Sequence, residues 1–311
     1  MPPSSGRSET GRRPAKGGST SRGSAKAASK RAAPERAAPE RAAPERAAPE
    51  RAASERGTPD GSGTASYIYG IVPADVELAS DARGVGDPPG RIKLVRHGEI
   101  AALTSDVPMD HPLGRPEDLF AHQRLLDAAV TEVPVLPLRF GAVVKTPQAV
   151  VDELLTPYHD EFLTALRELE GRAEYVVKGR YAEQVVVGEI LAGNAEAARL
   201  REEIRGLPEE ATWDARIRLG EVIGQAVEAG RDADTRTLAD ALAPVCVTVA
   251  VREPSHEWDA VHLALLAETD RRADLEEIVN EFDHQWADRV KLRLIGPLAP
   301  YDFVGSPSEE G

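Results

Sequence analysis

The chain has 311 residues, 41% of them hydrophobic, a formal net charge of −14 and a single cysteine, Cys246. That length supplies about two domains, the lone cysteine excludes an internal disulfide framework and fits a reducing compartment, and no apolar run is long enough to cross a bilayer. The charge is divided: residues 1–66 carry 13 Lys/Arg against 7 Asp/Glu, leaving 25 against 45 in the remainder, and so acidic a body argues against general nucleic-acid binding because phosphates are repelled at long range.

The N-terminus lacks the charged-then-apolar pattern of a signal peptide, which makes the cytoplasm the expected location. Residues 1–30 are rich in Gly, Ser, Lys, Arg and Ala, and RAAPE then repeats four times over 31–50 before RAASE at 51–55. Proline at every fifth position forbids one continuous helix, and five residues cannot bury a face as a solenoid repeat does. The composition predicts a disordered basic tail over 1–66, with order beginning at Tyr67.

YIYGIV (67–72) is a β-rich run closed by Pro73. Residues 91–107 alternate weakly and break at His97-Gly98, the pattern of a hairpin with a glycine-containing turn. Pro116-Glu-Asp opens a helix, with Leu119, His122, Leu126 and Ala129 on one face. VPVLPLRFGAVV (133–144) reads as a strand whose prolines favour an edge or a strand start. A helix over 147–169, divided at Pro157, completes a first α+β domain spanning 67–172.

The second domain, 173–305, opens with the strand 174–178. Residues 179–212 lack a firm pattern and read as a variable insertion or a partly helical excursion, and a helix follows over 213–229. Val245, Val247, Val249 and Val251 make a nearly fully buried strand, with 261–267 as its neighbour. The last helix carries Leu275, Ile278, Val279, Phe282 and Trp286 in a stripe, before a closing strand with Lys291 and Arg293 outward. Strand, helix, strand, strand, helix, strand is the order of a ferredoxin-like sandwich. The expected fold is therefore α+β with two domains, the second a modified ferredoxin-like (βαββαβ) sandwich, followed by a disordered end at 306–311.

No phosphate loop, dinucleotide fingerprint, zinc motif or nucleophile elbow is present, and no histidines pair at helical metal spacing. His122, on an apolar helix face, reads as a core or interface histidine. Arg139 stands between apolar clusters beside Phe140 and Gly141. It suits a structural ion pair, an interface anchor or a small-anion clamp; if buried and paired, its loss costs about 1–4 kcal/mol.

YIYGIV, VLPLRFGAV and GPLAPYDFV, in that order over 67–304, resemble three signature stretches of the gas vesicle protein F/L family. The motif residues are Tyr69, Gly70, Leu138, Arg139, Phe140, Gly141, Gly296, Pro297, Tyr301 and Phe303. Two departures stand out: Leu298 and Ala299 replace the usual Trp-Pro, and Ala142 stands where the family carries Thr. The resemblance implies an accessory protein without enzymatic activity, cofactor or metal. It also implies action in the cytoplasm and at the gas vesicle, with the major shell protein and other accessory proteins as partners and without nucleic-acid or membrane binding. A ferredoxin-like module that senses a small ligand is the alternative.

Overall fold

The computed structural model describes residues 63–78, 82–109 and 113–304. The expectations for the tail before residue 63 and for the end at 306–311 lie outside the described residues. Two antiparallel sheets form the body. The first has the order β2-β3-β1-β4, and the second β7-β8-β6-β9.

β1 (Thr64–Pro73) starts three residues before the expected Tyr67, and its residues from Ala65 to Val72 are buried. It is buried because it is central. It pairs with β3 (Ile100–Pro108) on one side and with β4 (Leu136–Pro137) and β5 (Val143–Val144) on the other. β2 (Ile92–His97) completes the expected hairpin, with Gly98 at φ +58° in its turn. The expected strand over 133–144 is instead two 2-residue pairings joined by an outward turn through Arg139–Ala142. Proline has no N–H for a continuous ladder, and Gly141 at φ +96° turns the chain out and back.

α1 (Pro116–Ala129) forms where expected, but its buried face is Asp118, His122 and Leu126, while Leu119 and Phe120 face outward. Burial pushes the Asp118 carboxyl up. Backbone N–H donors from Gly86, Gly114 and Arg115 at 2.9, 3.3 and 3.2 Å outweigh burial and hold it below its ordinary range. The expected helix over 147–169 is divided more thoroughly than a kink at Pro157. α2 (Pro147–Ala149) runs into a π-helical turn, Val150–Leu155, and α3 (His159–Glu168) follows with Phe162 and Leu166 buried.

In the second sheet, β6 (Arg172–Tyr181) outruns the expected 174–178 and takes 179–181 out of the expected insertion. The rest of that stretch is largely helical. α4 (Glu183–Gly193) is followed by α5 (Ala195–Ile204), whose start is capped by Asn194 Oδ1 accepting from the backbone of Glu196 and Ala197. α6 (Trp213–Leu242) continues well past the expected 229, because Leu238 and Leu242 extend its buried stripe below Val222 and Val227.

β7 (Thr248–Val251) is an edge strand, contrary to the expectation of near-complete burial, and leaves Val247 and Val251 46% and 68% exposed. β8 (Asp259–Glu268), α7 (Arg272–Gln285) and β9 (Val290–Leu298) follow. The strand order 2-3-1-4 within this sheet is that of a ferredoxin-like sandwich, as the element sequence predicted. One buried cluster runs from Tyr67, Tyr69 and Leu126 of the first sheet side into Tyr175, Leu263 and Val279 of the second. No helix among the described residues is long and apolar enough to cross a membrane.

Candidate functional site

The three motif stretches, far apart in the chain, meet at one side chain. His122, buried in α1, places Nδ1 2.9 Å from the Tyr67 hydroxyl. Its Nε2 lies 2.7 Å from the Tyr301 hydroxyl and 3.2 Å from the Leu138 carbonyl. The Gly141 N–H donates to the Tyr67 oxygen at 3.2 Å.

The directions follow from the donor inventory. The Leu138 carbonyl only accepts, so Nε2 carries the proton. Nδ1 then accepts from Tyr67, whose oxygen takes the Gly141 N–H. Burial pushes His122 down to about 4, with the Leu138 hydrogen bond opposing, so the ring is neutral at pH 7. Its position matches the expected core or interface histidine. That it joins β1, the 138–141 turn and the C-terminal segment is information its own helix does not carry.

Two further ties secure the C-terminal segment. The Ala299 N–H donates to Asp127 at 2.9 Å. The Asp302 N–H donates to Glu174 at 3.0 Å, while Arg252 bridges Glu174 and Asp302. Burial pushes Glu174 up to about 7, and the Asp302 N–H and Arg252 offset this only in part.

The motif residues divide into structural and accessible sets. Tyr69 is fully buried, its hydroxyl 2.8 Å from Ser105 Oγ and accepting the Val85 N–H at 2.8 Å. Gly70 exists for close approach, since a Cβ there would sit 2.7 Å from the Leu136 carbonyl. Gly296, at φ +145°, and Pro297 lie in β9 at an irregularity in its pairing with β6, between Ile295 and Leu298. Phe140 packs its ring against Tyr67 and His122, with centroids 5.9 and 5.7 Å away.

Arg139 is exposed and has no carboxylate within 4 Å among the described residues, which removes the expected buried ion pair. Its flanking apolar residues pack inward while the turn directs Arg139 to solvent. Arg139→Ala is accordingly expected to change stability by less than about 0.5 kcal/mol, rather than the 1–4 kcal/mol of a buried pair; thermal melting of the full chain checks this.

Beside this junction lies an open cleft of about 1130 Å³. Leu138, Phe140, Phe162, Leu266, Phe303 and Val304 give it an apolar lining, and Arg139, Glu161, Glu168 and Arg172 border it. Val247 and Thr248 bring the free edge of β7 to its rim. Among the described residues no group of three His, Cys, Asp or Glu is placed to hold a metal ion. Both ring nitrogens of His122 are already engaged in hydrogen bonds.

Residues 65–305 match the family described as Gas vesicle synthesis protein GvpL/GvpF. Gas vesicle protein F of Streptomyces sp. (strain CB03234) is 33% identical over 242 residues, 77% of this chain and 99% of that protein. Gas vesicle protein L of the same strain is 31% identical over 264 residues, 78% of this chain and 94% of that protein. The crystal structure of gas vesicle protein GvpF from Anabaena sp. PCC7120 superposes with a TM-score of 0.66 at 22% identity, covering 79% of this chain and 100% of that one, a likeness of fold. With its two-sheet body matched from residue 65 to 305, the chain belongs to the gas vesicle synthesis protein GvpL/GvpF family, whose members are gas vesicle accessory proteins.

Proposed function

We propose that this chain acts in the cytoplasm by holding the apolar major shell protein in soluble form during gas vesicle nucleation and assembly, alongside other accessory proteins. The cleft carries this reading. Its volume of about 1130 Å³ exceeds the roughly 300–1,000 Å³ of ordinary small-ligand sites, its floor is apolar within a charged border, and an edge strand of the second sheet lies at its rim. An extended apolar segment needs that combination, because the strand edge supplies main-chain partners while the pocket takes side chains. The net charge of −14 keeps such a complex dispersed.

In this reading Leu138, Phe140 and Phe303 form the wall that receives the segment, and Arg139 marks its rim. Tyr69, Gly70, Gly141, Gly296, Pro297 and Tyr301 hold that wall in place. The mechanism is contact rather than chemistry: apolar surface is withdrawn from water, at about 25 cal/mol per Å², until the shell protein is handed on.

The test is co-expression with the major shell protein, with the soluble shell protein then quantified after centrifugation. Arg139→Glu combined with Thr248→Arg alters two exposed positions at the cleft and is expected to reduce the soluble fraction about tenfold at an unchanged melting temperature. Equal solubilisation by the variant removes the cleft from the proposal, and no enrichment by the wild-type chain removes the proposal itself.

A further inference from the structure

Part of the second sheet carries a charge pattern opposite to that of the body. β6 and β9 pair with Lys178 opposite Arg293 and Arg180 opposite Lys291. Directly paired residues leave the same face of a sheet, and all four are exposed. The helices cover the other face, where Tyr175, Val177, Tyr181 and Leu292 are buried in the core. Nearer the C-terminal segment the basic face is closed as well, with Val176, Ala264 and Leu266 buried. The four cations occupy the half left open, around a depression of about 850 Å³ that also reaches Ile295 and has Asp259, Asp283 and Asp288 on its border.

Ion pairing compensates only half of this arrangement. Like charges directly opposite one another destabilise a sheet, and here two such pairs stand side by side. Arg180 lies 3.8 Å from Asp259 and Lys291 2.6 Å from Asp283. Lys178 and Arg293 have no carboxylate within 4 Å among the described residues. The surrounding chain beyond residue 66 has 25 basic residues against 45 acidic, so a basic quartet is a local exception.

We propose that this quartet is a docking surface for an acidic segment of a partner protein, distinct from the cleft and independent of it. Charge complementarity selects the partner. Carboxylates at i and i+4 of a helix lie about 5–6 Å apart at their Cβ atoms, close to the roughly 4.5–5.5 Å between opposed residues of an antiparallel pair. One turn of an acidic helix laid across the strands therefore spans one cationic pair, and the other pair lies alongside it, about 6–7 Å away along the strands. Ile295, 41% exposed beside the quartet, supplies an apolar contact. A nucleic acid fits less well on two grounds. The acidic body repels a long polyanion, and the tyrosines of β6, Tyr175 and Tyr181, are buried in the core and so are not open to base stacking.

The experiment uses the full chain and a fluorescein-labelled helical peptide of about 20 residues with Glu at every fourth position, read by anisotropy at about 50 and 300 mM NaCl. The wild-type chain is expected to bind it, with affinity falling about tenfold at the higher salt, and a Gln counterpart is not. Lys178→Gln with Arg293→Gln is expected to weaken binding at least tenfold while the melting temperature stays equal or rises, because like-charge repulsion is relieved. Failure of the acidic peptide to bind, equal binding by the double variant, or tighter binding of a single-stranded DNA of matched charge would each overturn the proposal. The quartet lies outside the cleft, so shell-protein solubilisation by the double variant reads the two surfaces separately.

Discussion

His122→Ala is expected to destabilise the protein at pH 7 by about 3–5 kcal/mol, roughly 10 °C in Tm for a body of this size. The loss comes from the partners as much as from the ring. The Tyr67 and Tyr301 hydroxyls and the Leu138 carbonyl lose their partner at once, and a buried polar group left without one costs about 1–3 kcal/mol.

The effect also has a pH signature. His122 titrates at about 4 in the fold and about 6.5 unfolded. Between these values the unfolded chain binds a proton that the fold does not. Wild-type stability from this group is therefore full above pH 6.5 and falls by about 3 kcal/mol as pH drops through 4. The alanine variant lacks this loss, so its deficit shrinks toward acid. Glu174 acts with the opposite sign. Its folded value of about 7 lies above the unfolded carboxyl, so its contribution is full below about pH 4.5 and is lost as pH rises through 7. The two slopes oppose each other from about pH 4.5 to 6.5, and Glu174→Gln is expected to expose the acid sensitivity that Glu174 masks. Urea midpoints across pH 4–8 for the three chains measure this; a His122→Ala deficit independent of pH would remove the neutral-histidine assignment.

Gly296→Ala is expected to cost about 3–4 kcal/mol, the second-largest effect, from two additive causes. At φ +145° an L-residue is strained before it meets any neighbour. Its Cβ would then lie 2.6 Å from Tyr175 Cδ1 and 3.0 Å from the Glu174 carbonyl. Tyr175 is buried and has nowhere to retreat. The strain falls just before the ties that fix Ala299 and Tyr301, so shell-protein solubilisation should fall with it. Gly220→Ala is the control. Gly220 lies in α6 with open space around it, and a helical alanine there is expected to gain about 0.5–1 kcal/mol. Equal midpoints for Gly296→Ala and wild type would show that the backbone can relax, contrary to this geometry.

The second sheet was readable from the chain because its signals are local: alternation in 290–294, the stripe of α7 and the order of elements. β7 was misjudged for a physical reason. VCVTVAV is apolar on both faces, so its composition fits a central strand, but whether a second neighbour covers it is decided by β6 pairing with β9. Similarly, apolar residues around Arg139 suggested burial, whereas the turn through Gly141 sends that side chain outward. His122 was legible as a buried helix residue, since it shares a face with Leu126. Its partners were not legible, because Tyr67 lies 55 positions before it and Tyr301 179 after it, and no local periodicity encodes such a meeting.

That last separation has a temporal meaning. A ribosome delivers about 5–20 residues per second, so Tyr301 leaves it on the order of 10–40 s after His122. Throughout that interval the imidazole and the Tyr67 phenol have no clasp from the segment around Tyr301. The seam at His122 therefore closes only after Tyr301 has been made.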